Sequence, residues 1–373
     1  MREVWLRTHR EAWPGLSKTN TEPPGLDRGA FSFKGETMPE RTDVRLSLPS
    51  KGRLAESAEA FLAACGLWMY KPNPRQYAAT MPALPNVTVL LQRPTDIVVS
   101  VRDGSVDFGI TGLDVTKEYG GGNGELLVLH EALGFGACRL AIAVPEAWDN
   151  VHTVADLAVA VADWDRPLRV ATKFTNLAGA FLKEHSVAPF SLVHSEGTLE
   201  VAPEIGYADC IVDLVSSGQT LRDNRLRALD DGVILRSQAA LIVNRAALRR
   251  RPEVLSIART LLELAEAHLR AQEHVMVVAN IRGVSPELIA QRLFEQDVLG
   301  GLQGPTISRV VSANSSENWH AVQIVVRRDD LIPAIAELRA IGGSGVVVTP
   351  VTYIFEEEPD RIRAMMRAVE MGD

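Results

Sequence analysis

From residue 43 onward, short apolar runs alternate with segments of helical period, and this alternation limits the chain to a few architectures. The run Val44-Arg45-Leu46-Ser47-Leu48-Pro49 reads as a strand, and residues 54–65 read as a helix that stops near Gly66. A second strand is predicted at 86–91, a helix over PTDIVVSVRDG, and a short strand entering a turn at 106–112. Each crossover helix returns the chain to the end of the sheet it left, so such strands pair in parallel. A second α/β unit follows residues 139–145, with strands at 168–171 and 191–193, a helix at 177–184, and then CIVDLVSSGQTL at 210–221. Leu241-Ile242-Val243 reads as a strand returning to the first unit. Two α/β lobes joined in this way leave a cleft between them, a common place for a small-molecule site.

Residues 249–271 carry an apolar stripe of helical period, after which the pattern changes. Strands at 274–281, 306–312, 320–327 and 345–355, with helices at 286–296 and 331–341, give the ferredoxin-like order β-α-β-β-α-β. The predicted division is a first lobe at 41–140 and 222–248 and a second lobe at 141–221. A linker helix at 249–271 and a C-terminal module at 272–373 complete it. Residues 1–40, rich in Pro, Gly and charge, are expected to be a poorly ordered extension. Arginines at 2, 7 and 10 are compatible with a transit peptide, but Glu3 and Glu11 count against one.

Composition removes several classes. The formal charge of −8 argues against nonspecific nucleic-acid or membrane partners. No apolar run is long enough to span a bilayer. Cys65, Cys138 and Cys210 are far apart with no CxxC spacing, so neither a disulfide framework nor a zinc site is expected, and a cytoplasmic location fits. The GGGNG run at 120–124 lacks the feeding strand and final glycine of a dinucleotide loop and reads as a turn. The histidines are scattered and show no metal-binding or nucleophile-activating spacing.

The segment at 210–221 is the strongest chemical signal. A strand ending near Asp213 presents a carboxylate at its C-terminal edge, where ligands bind in open α/β sheets. Ser216, Ser217, Gly218, Gln219 and Thr220 follow, small or polar residues whose backbone and hydroxyls approach an anion closely. A carboxylate repels phosphate but suits sugar hydroxyls, so the pair fits a ribose 5-phosphate; a capped turn is the plainer alternative. Ser50-Lys51-Gly52-Arg53 lies between a strand and a helix and supplies cations with a flexible backbone. Asp107 and Asp114 flank the FGITG turn, as caps or facing the cleft, and Glu200 and Glu204 lie four apart upstream.

The run EVAPEIGYADCIVDLVSSGQTL, residues 200–221, is similar to the signature of the ATP phosphoribosyltransferase family. LPSKGRL at 48–54, VDFGITG at 106–112 and RVATKFTNL at 169–177 also resemble that family. The resemblance implies two periplasmic-binding-protein-like lobes and an ACT-like regulatory domain, the long form. It implies transfer of phosphoribosyl from 5-phosphoribosyl 1-pyrophosphate to N1 of ATP with Mg2+, feedback inhibition by histidine, and dimers that assemble into hexamers. On that reading Asp213, Lys51 and Arg53 are the catalytic candidates. Glu200, Asp213, Ser216, Ser217, Gly218, Gln219, Thr220, Gly52, Thr111 and Gly112 contact substrate, and no protein residue is assigned to the metal. The alternatives are a non-catalytic anion- or solute-binding protein, disfavoured by the C-terminal module, and a catalytically silent regulatory subunit, disfavoured by the intact 51–53 and 213–221 segments.

Overall fold

The computed structural model describes residues 41–370, apart from 74, 123, 196 and 312–317. The extension expected at 1–40 lies outside the described residues. The first lobe is built from β1 (Val44–Pro49), β2 (Ala78–Thr80), β3 (Val87–Gln92), β4 (Phe108–Gly112) and β5 (Leu126–His130), with α1 (Gly52–Ala64), α2 (Pro94–Arg102) and α3 (Leu113–Tyr119). β1 is parallel to both β3 and β4, with Val44 opposite Val87 and Leu46 opposite Phe108. Its central place explains its composition: Leu46 and Leu48 are buried, and so is Ser47, whose hydroxyl donates to Gln92 Oε1 at 2.6 Å.

The second lobe holds β6 (Cys138–Pro145), α4 (Val154–Ala162), β7 (Leu168–Thr172), α5 (Thr175–Glu184), β8 (Phe190–His194), β9 (Cys210–Val215), α6 (Gln219–Asp223) and β10 (Leu226–Ser237). Its sheet order is β10-β6-β9-β7-β8. β7 is parallel to β8 and β9, whereas β6 is antiparallel to β9 and β10. α4 begins with a capping box, Thr153 and Asp156 each bonding the other's backbone N–H. Only Gln238 separates β10 from β11 (Ala239–Asn244), which re-enters the first sheet in the order β2-β3-β1-β4-β11-β5. The predicted return of 241–243 is therefore observed, but the division at 140 and 222 needs correcting. β6 starts at Cys138, and β10 pairs with it from Leu226 to Ser237. A strand's sheet is chosen by the partner that satisfies its backbone, which its own residue pattern does not specify.

Asp209 fastens β7 to β9. It accepts two bonds from Arg166, at 2.6 and 2.9 Å, and others from the Arg169 backbone N–H at 2.8 Å and guanidinium at 2.9 Å. Burial by itself raises the carboxyl pKa, but the bonds from Arg166 and Arg169 outweigh it and hold the group well below the usual carboxylate range. A depressed folded-state value contributes stability above the unfolded value, about 3.9, and loses it as pH falls toward the folded one. Asp209→Asn is expected to cost about 2–3 kcal/mol at pH 7. That gap to the wild type should close in acid, as followed by denaturant midpoints across pH.

After α7 (Arg245–Arg250), the long helix α8 (Pro252–Gln272) does more than link domains. Its buried Val254, Ala258, Leu261, Leu262 and Ala265 belong to the core of the first lobe, together with Leu46, Phe61 and Phe108. The C-terminal module contains β12 (His274–Arg282), α9 (Pro286–Phe294), β13 (Thr306–Arg309), β14 (Trp319–Arg327), α10 (Leu331–Ala340) and β15 (Gly343–Pro350). Its antiparallel order β13-β14-β12-β15 is the ferredoxin-like one. The module does not extend to the C-terminus as predicted. Residues 351–359 run back along the first lobe, where Tyr353 donates its hydroxyl to Ala64 O at 2.7 Å and Ile354 N donates to Ala267 O at 3.0 Å. α11 (Asp360–Glu370) then places Ile362 and Met365 in the first-lobe core.

Candidate active site

A cavity of about 570 Å3 lies between the lobes and is lined from both. The first lobe contributes Arg53, Leu54 and Ser57 from α1, and Arg93, Pro94 and Thr95 at the start of α2. Gly112, Asp114, Val115 and Tyr119 come from the end of β4 and from α3. Across from them stand Cys138, Lys173, Phe174, Leu214 and Ser216, with Gly136 and Ala137 at the crossing between lobes. Strand ends deliver these groups because side chains there are fixed by the sheet while the following loop is free to face a ligand.

Asp213 sits on β9 opposite Ala141, two residues before the strand ends, so the strand runs past it. Burial pushes its carboxyl up from the ordinary value; the Leu214 backbone N–H and Lys173 oppose that rise, and Glu200 adds to it. Glu200, on a single 3-10 turn at Leu199–Val201, lies within electrostatic reach of Asp213. Ser216 lines the cavity and Ser217 follows it, exposed. Gly218 has φ +74°, a left-handed conformation that glycine adopts without steric cost, and it turns the chain into α6. Arg222 folds back over this turn, donating to Ser217 O at 3.4 Å and to Gln219 Oε1 at 2.9 Å. Gln219 Nε2 donates to Asp223 Oδ1 at 2.6 Å, so its side chain is used within α6, while Thr220 is exposed. Arg222 thus brings a cation to the predicted phosphate loop that the sequence pattern had not singled out.

The basic loop divides. Arg53 lines the cavity, whereas Lys51 and Gly52 are exposed beside it at the entry to α1. Gly112 lines the cavity, and a side chain there would run into the Asp114 carboxylate. Thr111 does not line the cavity: it is fully buried and its hydroxyl donates to Pro94 O at 3.3 Å. On a strand, Thr111 and Gly112 point to opposite faces, so one motif supplies one buried tie and one open position.

The two aspartates flanking FGITG have separate roles. Asp107 is buried, accepts the Arg45 backbone N–H at 2.8 Å and pairs with Arg251 at 3.0 Å. Asp114 faces the cavity; it accepts the Ser237 hydroxyl at 2.6 Å, and its backbone N–H donates to the same oxygen at 3.0 Å. Cys138, half-buried, lines the cavity from the other lobe, its thiol pushed up by burial and by Asp114, with Ser237 and Lys173 opposing. Lys173 is the main group absent from the sequence candidates. It lies within RVATKFTNL, and its ammonium sits 5.0 Å from the Phe174 ring centroid at the cavity wall. Two signals could have found it: a basic residue just after a strand, and its place inside a run that resembles the family.

The arrangement collects Arg53, Arg93 and Lys173 around one space, with Asp114 and Ser216 on its walls. Asp213 does not itself line the space but lies next to Leu214, which does, and within electrostatic reach of Lys173. Such a set binds polyanions and orients hydroxyl groups; among the residues lining the cavity no acid–base pair stands ready for nucleophilic attack. Residues 93–267 match the family model described as ATP phosphoribosyltransferase, and residues 271–353 match that described as HisG, C-terminal domain. The chain is 45% identical over 335 residues to ATP phosphoribosyltransferase 1, chloroplastic, of Arabidopsis thaliana, covering 88% of this chain and 81% of the relative. ATP phosphoribosyltransferase 2, chloroplastic, of the same plant is also 45% identical, over 86% of this chain and 79% of its own. The ATP phosphoribosyltransferase of Nitrobacter winogradskyi is 36% identical, over 85% and 95%.

Proposed function

This chain belongs to the ATP phosphoribosyltransferase family, and from that premise we infer that it transfers phosphoribosyl from 5-phosphoribosyl 1-pyrophosphate to N1 of ATP. The products are 1-(5-phosphoribosyl)-ATP and pyrophosphate, the first step of histidine biosynthesis. The observation that carries this reading is the pairing, across one cavity, of first-lobe cations with Leu214 and Ser216 at the end of β9 in the second, the strand that also carries Asp213. Breaking the C1–O bond builds positive charge on the sugar and negative charge on the leaving group. The protein therefore has to align two substrates and stabilise separating charge, without forming a covalent bond of its own. Alignment alone supplies roughly 7–11 kcal/mol in favourable intramolecular cases.

In this reading Asp213 accepts from the ribose hydroxyls, and its burial strengthens those bonds. Ser216, Ser217 and the Gly218 turn, with Arg222 behind them, receive the 5-phosphate. Arg53, Arg93 and Lys173 meet the remaining phosphates, with Lys51 at the mouth of the cavity. Among the described residues no group of three or more His, Cys, Asp or Glu side chains is gathered to hold an ion. The donor set fits Mg2+ carried chiefly by substrate phosphates and water, with Asp114 as the carboxylate lining the cavity. When bound, the ion neutralises charge on departing pyrophosphate. Incubation with ATP, 5-phosphoribosyl 1-pyrophosphate and Mg2+ should give the adduct, followed by its ultraviolet absorbance; no product would overturn the reading.

We assign the ferredoxin-like module to feedback inhibition by histidine and to homo-oligomers in which dimers build hexamers. Exposed Val347 and Val348 on the edge strand β15 support an assembly role. Histidine is expected to slow turnover and to slow amide exchange within β12 to β15. Protection confined to the catalytic cavity would make it a substrate competitor. Deleting 272–373 is a poor test, because it also removes Ile362 and Met365 from the first-lobe core. We place the chain in the cytoplasm. No helix among the described residues is long and apolar enough to cross a membrane, and the names of the two plant relatives assign those proteins to the chloroplast.

A further inference from the structure

The lobes also meet beside the cavity, through Glu118 near the end of α3. This residue is 4% exposed, and its carboxylate bonds to the second lobe. Oε1 accepts from the Asn176 backbone N–H at 2.8 Å and from the Thr175 hydroxyl at 3.5 Å; Oε2 accepts from the Leu177 N–H at 2.9 Å. The Glu118 carbonyl accepts from Asn176 Nδ2 at 3.1 Å. The next residue, Tyr119, donates its hydroxyl to Lys173 O at 3.0 Å. Within the second lobe, Phe174 N donates to Thr172 Oγ1 at 2.9 Å. The backbone on both sides of Lys173 is therefore held, and Lys173 itself lines the cavity.

The first N–H groups of a helix lack intrahelical partners and attract negative charge. α5 has Phe174 at its N-cap, with no side-chain cap from its own lobe. The carboxylate that completes it comes from the opposite lobe. With those N–H groups filled by Glu118, the charge offered to substrate there is the Lys173 ammonium, not the helix end. Burying a carboxylate is costly unless its bonds are made, so the cap holds only while the lobes keep this arrangement.

We propose that Glu118 is a positioning residue for the transfer: by capping α5 across the lobe boundary it sets where Lys173 stands in the cavity. The proposal rests on the transferase reading for its kinetic consequence. Glu118→Gln keeps the shape but replaces one acceptor oxygen with a donor that faces the Leu177 N–H. It is expected to lower kcat by about 10- to 100-fold, with KM for both substrates changed far less. Combined with Lys173→Met it should cost little beyond Lys173→Met alone, because both act on the same ammonium. Multiplying penalties would overturn the proposal, since Glu118 would then act on lobe packing alone. Amide exchange at Asn176 and Leu177 in the substrate-free Glu118→Gln protein should accelerate, and unchanged exchange would also overturn it. If the wild type makes no adduct, the transferase reading fails while the exchange result still judges the cap. Should Glu118→Gln not fold, Tyr119→Phe removes only the hydroxyl on the Lys173 carbonyl and should show the same non-additivity with Lys173→Met; full additivity there would overturn the proposal.

Discussion

Replacing Asp213 with asparagine is expected to lower kcat/KM about 100-fold, the cost of losing a charged acceptor on substrate hydroxyls. The melting temperature should stay at or above that of the wild type. The sign follows from burial, which raises the Asp213 carboxyl above its unfolded value. Such a group contributes stability only below the unfolded value, and that contribution is lost as pH rises through the folded one. At neutral pH the buried charge is thus a cost, and the asparagine removes it. The same raised value predicts that the acid limb of the kcat/KM profile falls at higher pH than an ordinary aspartate would give, and that the limb vanishes in the variant. Steady-state kinetics across pH with thermal melts separate the two effects. A variant that loses activity by unfolding would make Asp213 structural.

Asp107→Ala is expected to do the reverse. Its carboxylate is fully buried and holds both the Arg45 N–H and Arg251, the residue that enters α8. Removing it leaves the Arg45 backbone donor unpaired in the core and takes from Arg251 its buried carboxylate, though Glu253 and the Asp43 carbonyl still hold that guanidinium, so the loss is about 2–4 kcal/mol. Denaturant midpoints measure the loss, and the folded fraction at low temperature should keep its kcat, because Asp107 does not line the cavity.

Asp107 and Asp114 lie either side of FGITG, and the sequence offered no way to assign them. The difference arises from what meets each one: Arg251 from the start of α8 reaches Asp107, whereas Ser237 at the end of β10 reaches Asp114. Partners that far along the chain are invisible to local pattern. Thr111 misled for a related reason, since its motif marks the right strand while the pleat turns that side chain toward Pro94. Lys173 and Arg222 were overlooked because a single cation in a loop resembles any exposed basic residue until the opposite wall is present.

What the chain's sequence determined by itself is local and periodic. Apolar period and turn residues specify strands, helices and the ferredoxin-like order, because backbone and nearest-neighbour sterics act within a few residues. The place of the 210–221 segment was legible too, a strand running into a turn, and the structure brings its Leu214 and Ser216 to the cavity. Tertiary structure alone decided the rest. It assigned β10 to the second sheet, folded α8 and α11 into the first-lobe core, and set Glu118 beneath α5. Each of these depends on which distant surface satisfies a buried donor or covers an apolar face, and that choice is made only when the lobes pack.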